Sequence, residues 1–406
     1  MTKYRWPLMK SAFHADDFRA VQDLLECGEN SGMWNLDARL TMGEQVAAFE
    51  EEFAAWQGCK FAVMVNSGAS ANLITMHALS ERMGGYDRNW KPKVIVPTVT
   101  WASDITSVMH AGFEPVFVDV DRDTLGMDHE GLIEKVIEGR PAAVFTTHCM
   151  GFNSLDDGML GVILNPGIPL IEDCCESIGA TDYTGKKVGN FGLAANFSFY
   201  YAHPMTTIEG GMVTTDDKEF ADLCRMLRNH GMTRGVEFAG RPDDDMDLDP
   251  NFTFAVPGFN VRPTEISAAI GRSQLKRLDE NIKQRHDLAC MWYGRLGTKY
   301  QSFDCKGASP YGLLLVLRDQ EHESRPLVLL RNRVEALLRE KGVEYRKGVA
   351  GGGNQLRMPY LRRLHGDAYR NFPVAEHLHS FGIAIGLWPG LEPQWIEQLA
   401  LEMNKL

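Results

Sequence analysis

Between about residue 60 and residue 217 the chain alternates two patterns of apolar and polar positions. Short β-branched runs, "KFAVMVN", "KVIVPT", "EPVFVDV", "AAVFTTH", "PLIEDC", "AANFSFYY" and "GGMVTTD", predict strands. Helix-like segments over residues 69–83, 102–111 and 128–138 lie between several of them. Strands separated by helices of that length predict an α/β fold with a largely parallel sheet. In such sheets the chemistry collects at the carboxyl ends of the strands, where the loops leave. Asn66, Ser67, Thr98, Asp119, His148, Asp173 and Ser198 all stand at those ends, a positional hint of a single site.

After residue 217 the pattern changes. A helix runs through Asn229 into "GRPDDDMDLDPN", an acidic, proline-bounded stretch that reads as solvated surface. "PTE" opens a long helix expected from near Pro263 to about Leu296. A smaller unit follows, with strands near 312–317 and 343–346 and helices near 332–341 and 393–404. "AGGGNQ" (350–355) reads as a flexible loop; with no strand before it and no helix after, it is no phosphate-binding fingerprint. The division is placed at the long helix: residues 1–262 as a large cofactor-binding α/β domain with the N-terminal segment, residues 263–406 as the long helix and a small α+β C-terminal domain.

Composition narrows the function classes. A chain of 406 residues is too long for one ordinary core. Its 44% hydrophobic and 24% charged residues are those of a soluble globular protein. A formal net charge of −12 argues against a nucleic-acid groove or a polybasic membrane surface. It leaves room for an anionic small ligand, because backbone amides hold phosphate without net positive charge. The N-terminal stretch has no signal-peptide-like apolar run, and no later run approaches the roughly 18 apolar residues of a membrane span. A cytoplasmic location is the expectation. Eight scattered cysteines fit reduced thiols, and without C-x-x-C or H-x-x-x-H spacing no metal site is expected.

Several short motifs carry candidate chemistry. "NSGASAN" ends a strand, passes two small residues and starts a helix, so free amides face outward as an anion site; any tight strand-to-helix turn looks similar. In "IEDCCES", Asp173 ends an apolar strand, as a structural cap or as the partner of a protonated ring nitrogen. Trp101 follows "VIVPTVT", either packed in the core or stacked on an aromatic ligand. "FSFYYAHPMTTIEGG" offers the Ser198 hydroxyl and, five residues on, His203, a packing residue or a base. "PGFNVRPTEI" places Asn260 and Arg262 before the long helix.

In this order and spacing the motifs closely resemble the sugar aminotransferase family of pyridoxal-phosphate proteins. The resemblance extends from "GEQVAAFEEEFAAWQG" through "LRNHGM" to "FGIAIGLWP". It implies a type I aminotransferase fold, with a large domain of mainly parallel sheet flanked by helices, and a homodimer with the site at the interface. By motif match, Gly68, Ala69 and Ser198 hold the cofactor phosphate, Trp101 stacks on its ring and Asp173 pairs with the ring nitrogen. Asn260 reaches the phosphate from the partner subunit, and Arg262 meets the substrate diphosphate across the same interface.

One residue departs from the pattern. Where the aminotransferases carry the lysine that binds the cofactor covalently, this chain has His203, and Lys186 and Lys187 stand at the wrong place to substitute. Histidine there resembles the nucleotide-sugar 3-dehydratases, a branch that works with the amine form, pyridoxamine phosphate. In that branch His203 would be the base, and its ordinary pKa of about 6.5 suits the task. Glu176, where aminotransferases commonly carry glutamine near the cofactor's phenolic oxygen, fits the same branch, with a helix-start carboxylate as the structural alternative. Only Cys224 lies between residues 176 and 289, so no iron–sulfur cluster is expected. "HPMTTIEGG" and "GFNVRPTEISAAIG" look most like the reductase-independent subtype, which acts on GDP-4-keto-6-deoxymannose and renews its amine from L-glutamate. An aminotransferase or dehydratase for another nucleotide sugar or keto sugar, and a non-catalytic cofactor-binding regulator, stay open at this point.

Overall fold

The computed structural model describes residues 5–10, 12–26, 40–85, 91–236, 248–249, 252–319 and 324–406. All seven expected strands of the large sheet form: β1 (Phe61–Val65), β2 (Lys93–Pro97), β3 (Glu114–Val118), β4 (Ala143–Thr147), β5 (Leu170–Asp173), β6 (Ala194–Ser198) and β7 (Gly211–Thr215). Their order is β1-β7-β6-β5-β4-β2-β3; only the pairings of β7 with β1 and β6 are antiparallel. Helices cover both faces, which is why the inner strands read as near-continuous apolar runs rather than alternating ones. Ile74, Ile105 and Phe220, from helices Gly68–Arg82, Ala102–His110 and Lys218–Arg228, pack on one side. Phe49 and Phe53 of helix Glu44–Gln57 pack with Phe197 and Phe199 on the other.

A second, three-stranded sheet has the order β8 (Leu313–Val316), β10 (Gly382–Ile385), β9 (Tyr345–Lys347). Its middle strand β10 falls in "FGIAIG", a run too short and too near a helix to be read as a strand alone. Trp6 joins this core from the far end of the chain, donating its Nε1–H to Gly386 O at 2.9 Å.

Three local expectations need correction. The long helix is two helices, Glu265–Leu275 and Leu278–Arg295, broken at Arg277 (φ −121°, ψ 10°). The Arg277 guanidinium is drawn aside by the buried Asp17 and by Ala12 O. The first segment then packs on helices Ala15–Leu25 and Glu44–Gln57, while the second enters the other core. Pro263 stands outside the helix, which opens on a Thr264–Ser267 capping box. Next, β6 stops at Ser198, three residues before the expected end. Finally, the loop 350–355 is tied down: Gln355 N–H donates to Thr98 O at 2.9 Å, and buried Asn354 donates to Glu376 at 2.9 Å. The acidic stretch 240–251 lies outside the described residues except for Leu248 and Asp249.

Candidate active site

At the carboxyl end of the sheet a cavity of about 320 Å³ opens among Ser67, Gly68, Ala69, Trp101, Asp173, Glu176, Ser198 and His203. Seven of the nine residues singled out in the sequence therefore meet there. Asn260 and Arg262 do not: Asn260 is exposed and bridges to Asn229, and Arg262 Nη1 donates to Asn229 Oδ1 at 2.7 Å. A wider groove of about 1280 Å³ lies at the amino ends of β2, β4, β5 and β6, and its described lining holds no acid and no histidine.

The anion side is built by close approach. Ser67 caps helix Gly68–Arg82 by accepting Ser70 N–H at 3.1 Å, and the helix's first amides have no acceptor within it. A Cβ on Gly68 would stand 2.6 Å from Ser198 Cβ and 3.0 Å from Cys175 Sγ, so only glycine lets the two strand ends meet. A Cβ on Gly211 would stand 2.4 Å from Ser67 O, which explains the second glycine of "IEGG".

The loop after β6 is held rigidly. Phe199 N–H donates to Gly210 O and Thr207 N–H to Phe199 O, both at 2.9 Å, and His203 N–H donates to Tyr200 O at 3.0 Å. Ile208 sits at φ +72°, a strained conformation for a β-branched residue. The imidazole of His203 is buried, and its Nδ1 has no hydrogen-bond partner. Burial first, and then the charges of Arg285 and Arg346, push it from 6.5 to about 3. The ordinary value expected from sequence is thus replaced by a neutral imidazole across the physiological range.

Asp173 is fixed from two sides: Cys175 N–H donates to Oδ1 and Asn72 Nδ2 to Oδ2, each at 2.8 Å. Glu176 is not at a helix start; it lies in a turn and accepts Met150 N–H at 2.9 Å. Burial raises its carboxyl, opposed by the charge of Arg346. Trp101, 48% exposed, leaves its ring free at the cavity mouth instead of in the core.

The strand-end residues do not all serve this site. Asp119 accepts Val374 and Ala375 N–H at 3.0 and 2.9 Å, capping helix Pro373–Phe381. His148 accepts Ser154 N–H at Nδ1, so Nε2 carries the proton toward Glu172 Oε2 at 3.1 Å. Residues missed in the sequence include Thr147, Tyr311 and Arg346, the last two from the small-sheet half of the chain. No lysine is among the cavity's described lining residues. Lys187 Nζ lies 3.7 Å from the Trp56 ring centroid and Lys186 Nζ 4.9 Å from that of Phe191.

These residues fit a phosphorylated pyridine. Gly68 keeps a Cβ-free cradle beside the Ser198 hydroxyl and the Cys175 thiol, Asp173 could face a ring nitrogen, and the His203 Nδ1 has no competing protein contact.

Known proteins match along nearly the full length. Residues 33–404 match the DegT/DnrJ/EryC1/StrS aminotransferase family. The GDP-4-keto-6-deoxy-D-mannose 3-dehydratase of Escherichia coli O55:H7 is 32% identical over 396 residues, 94% of this chain and 95% of that protein. The GDP-perosamine synthase of Caulobacter vibrioides is 36% identical over 265 residues, 64% of each. A solved GDP-4-keto-6-deoxymannose-3-dehydratase with a trapped PLP-glutamate geminal diamine superposes with a TM-score of 0.83 at 31% identity, over 98% of this chain and 100% of that one. With the mainly parallel sheet and its helices already in place, the chain belongs to the DegT/DnrJ/EryC1/StrS aminotransferase family.

Proposed function

We propose that this protein is a pyridoxamine-phosphate-dependent 3-dehydratase. Its substrate is a nucleotide-linked 4-keto-6-deoxyhexose, GDP-4-keto-6-deoxy-D-mannose, from which it removes the C3 hydroxyl. The observation that carries the reading is His203, a buried neutral imidazole at the strand-end cavity whose described lining has no lysine. The similarity to the dehydratase of E. coli O55:H7 supports the same substrate, and the glutamate adduct in the solved relative supports glutamate as amine donor.

The residues divide the work. Gly68 and Ala69 at the helix start and the hydroxyl of Ser198 hold the phosphate. Trp101 offers its open ring face for stacking. Asp173 keeps a negative charge at the ring nitrogen, and Glu176 lies toward the ring's oxygen. When bound, the cofactor supplies an amine for the sugar ketone and a sink for electrons. His203, neutral, accepts a proton at a ring nitrogen and then returns it to the departing C3 hydroxyl. A lysine at this position could instead complete amino transfer or bind the cofactor covalently. Arg346 is the cavity's cation, suited to a carboxylate or phosphate oxygen.

The same reading includes a homodimer in which Asn260 and Arg262 serve the partner's cavity; the exposed Asn260 and the half-buried Arg262, both outside their own cavity, support it. It also includes a cytoplasmic setting, supported by seven free cysteines among the described residues. Among those residues no helix is long and apolar enough to cross a membrane.

The test is turnover. Protein supplied with pyridoxamine phosphate, L-glutamate and GDP-4-keto-6-deoxy-D-mannose in deuterated water should release ammonia and a 3-deoxy-4-keto sugar. An amino sugar as product would sink the proposal.

A further inference from the structure

Behind Asp173 lies a second carboxylate that no step above uses. Asn72, fully buried, points its Nδ2 at Asp173 Oδ2 (2.8 Å), Asp104 Oδ1 (2.9 Å) and Ser103 Oγ (3.1 Å), while its own Oδ1 has no partner. The amide is therefore oriented by the two acids and Ser103, and by nothing on its oxygen side. On the other oxygen of Asp104, three groups form a triangle. Thr100 Oγ1 and Thr147 Oγ1 each bond Asp104 Oδ2, the latter at 2.7 Å, and the two hydroxyls lie 2.6 Å apart. Three mutual hydrogen bonds need three protons, and two hydroxyls bring only two. A proton on the Asp104 carboxyl would supply the third.

We propose that Asp104, acting through Asn72, is a positioning residue that stays a neutral acid and leaves Asp173 as the charged member of the pair. Burial and the charge of Asp173 point the same way, holding the Asp104 carboxyl well above the usual carboxylate range. The arrangement solves a geometric problem. A lone carboxylate behind a ring nitrogen would be free to rotate, whereas this one is held at Oδ1 by Cys175 and at Oδ2 by Asn72. Were Asp104 also ionised, two charges would share one amide in a site without a compensating cation among their hydrogen-bond partners. Thr147, which lines the cavity, ties the triangle to the ligand's space. The inference rests on the reading of Asp173 as the ring nitrogen's partner.

The experiment compares Asp104→Leu and Asp104→Asn in the full chain. The infrared difference between wild-type and Asp104→Asn apoprotein should contain the carbonyl stretch of a protonated carboxylic acid; its absence overturns the proposal. Calorimetry with pyridoxamine phosphate should show affinity falling roughly tenfold in Asp104→Leu. Asp104→Asn, which keeps an N–H where the acid has its O–H, should restore it to within about twofold of wild type. A leucine variant that binds like wild type, or an asparagine variant as weak as leucine, overturns the proposal. If Asp104→Leu does not fold, the infrared band and the asparagine variant still decide. Asp173→Ala separates the two levels. Unchanged affinity in that variant defeats the role of Asp173 and the inference with it, whereas loss in Asp173→Ala alone defeats only the role of Asp104.

Discussion

The ring of His203 lies against that of Tyr311, with centroids 5.1 Å apart and planes inclined by 45°. Arg346 stands 5.9 Å from the same tyrosine ring. His203, the base of the proposed reaction, thus leaves the large sheet and is seated on a wall built by the small-sheet half of the chain. That seat fixes the imidazole without a hydrogen bond to its Nδ1, leaving the nitrogen for a proton.

Replacing the base should separate binding from chemistry. His203→Asn should lower turnover by about 10²-fold or more, the usual scale for a lost general base, with pyridoxamine phosphate affinity little changed. His203→Lys should instead capture pyridoxal phosphate covalently. Borohydride treatment and peptide mass spectrometry should then find the label on position 203; label elsewhere would refute this placement.

The pH dependence follows from burial. His203 protonates at 6.5 in the unfolded chain and at about 3 in the folded one. Between those values the unfolded state binds a proton that the native state refuses, so stability falls as pH drops through this window. The slope is up to about 1.4 kcal/mol per pH unit for one such group. His203→Asn should flatten the acid limb of urea-derived stability between roughly pH 6 and 4, with His77, lowered to about 4, supplying part of what remains. Arg346→Gln should raise the imidazole's titration, read by NMR, because it removes one of the two charges that depress it.

Gly68 tests the phosphate cradle. Adding one methyl by Gly68→Ala forces Ser198 or Cys175 to move, a cost of about 1–3 kcal/mol. Cofactor affinity should fall at least about tenfold if, as proposed, the displaced hydroxyl and the helix start share one anion site. Retained affinity in a calorimetric titration would show that the phosphate sits elsewhere.

The strands were legible because most are short apolar runs buried in the sheet; the strand-end rule then gathered Ser67, Asp173 and Ser198, and the flanking motifs added Gly68 and His203. Local pattern failed where a distant partner decides. The helix breaks at Arg277, whose guanidinium pairs with Asp17, 260 residues away, although the periodicity runs on without interruption. Arg346 falls at the end of the expected strand 343–346, but nothing local ties that strand to the site; only the pairing of β9 with β10 brings it to the cavity. Strand-end position alone does not choose between roles either. Asp119 and Asp173 look alike in sequence, yet one caps a helix and the other lines the cavity.

That contrast is testable. Asp119→Ala leaves two helix-start amides of Pro373–Phe381 without their acceptor and should cost about 1–2 kcal/mol. Pyridoxamine phosphate affinity should be unchanged, because Asp119 is not part of the cavity lining. A drop in affinity beyond the loss of folded protein would return Asp119 to the site.

The assignment of Asn260 and Arg262 to a partner's cavity predicts complementation. Arg262 is anchored on Asn229, and neither it nor Asn260 lines its own cavity. His203→Asn and Arg262→Ala should each be nearly inactive alone. If the site is shared across a two-fold interface, a mixed dimer holds one cavity with both defects and one with neither. Random re-pairing after co-expression makes half the dimers mixed, so activity should recover to about a quarter of wild type. The recovery should need co-expression or subunit exchange and vanish when exchange is blocked by cross-linking beforehand. If each residue serves its own chain, every cavity in the mixture carries one defect. No recovery would then appear at any ratio, and Arg262 would have to be reassigned to the chain that carries it.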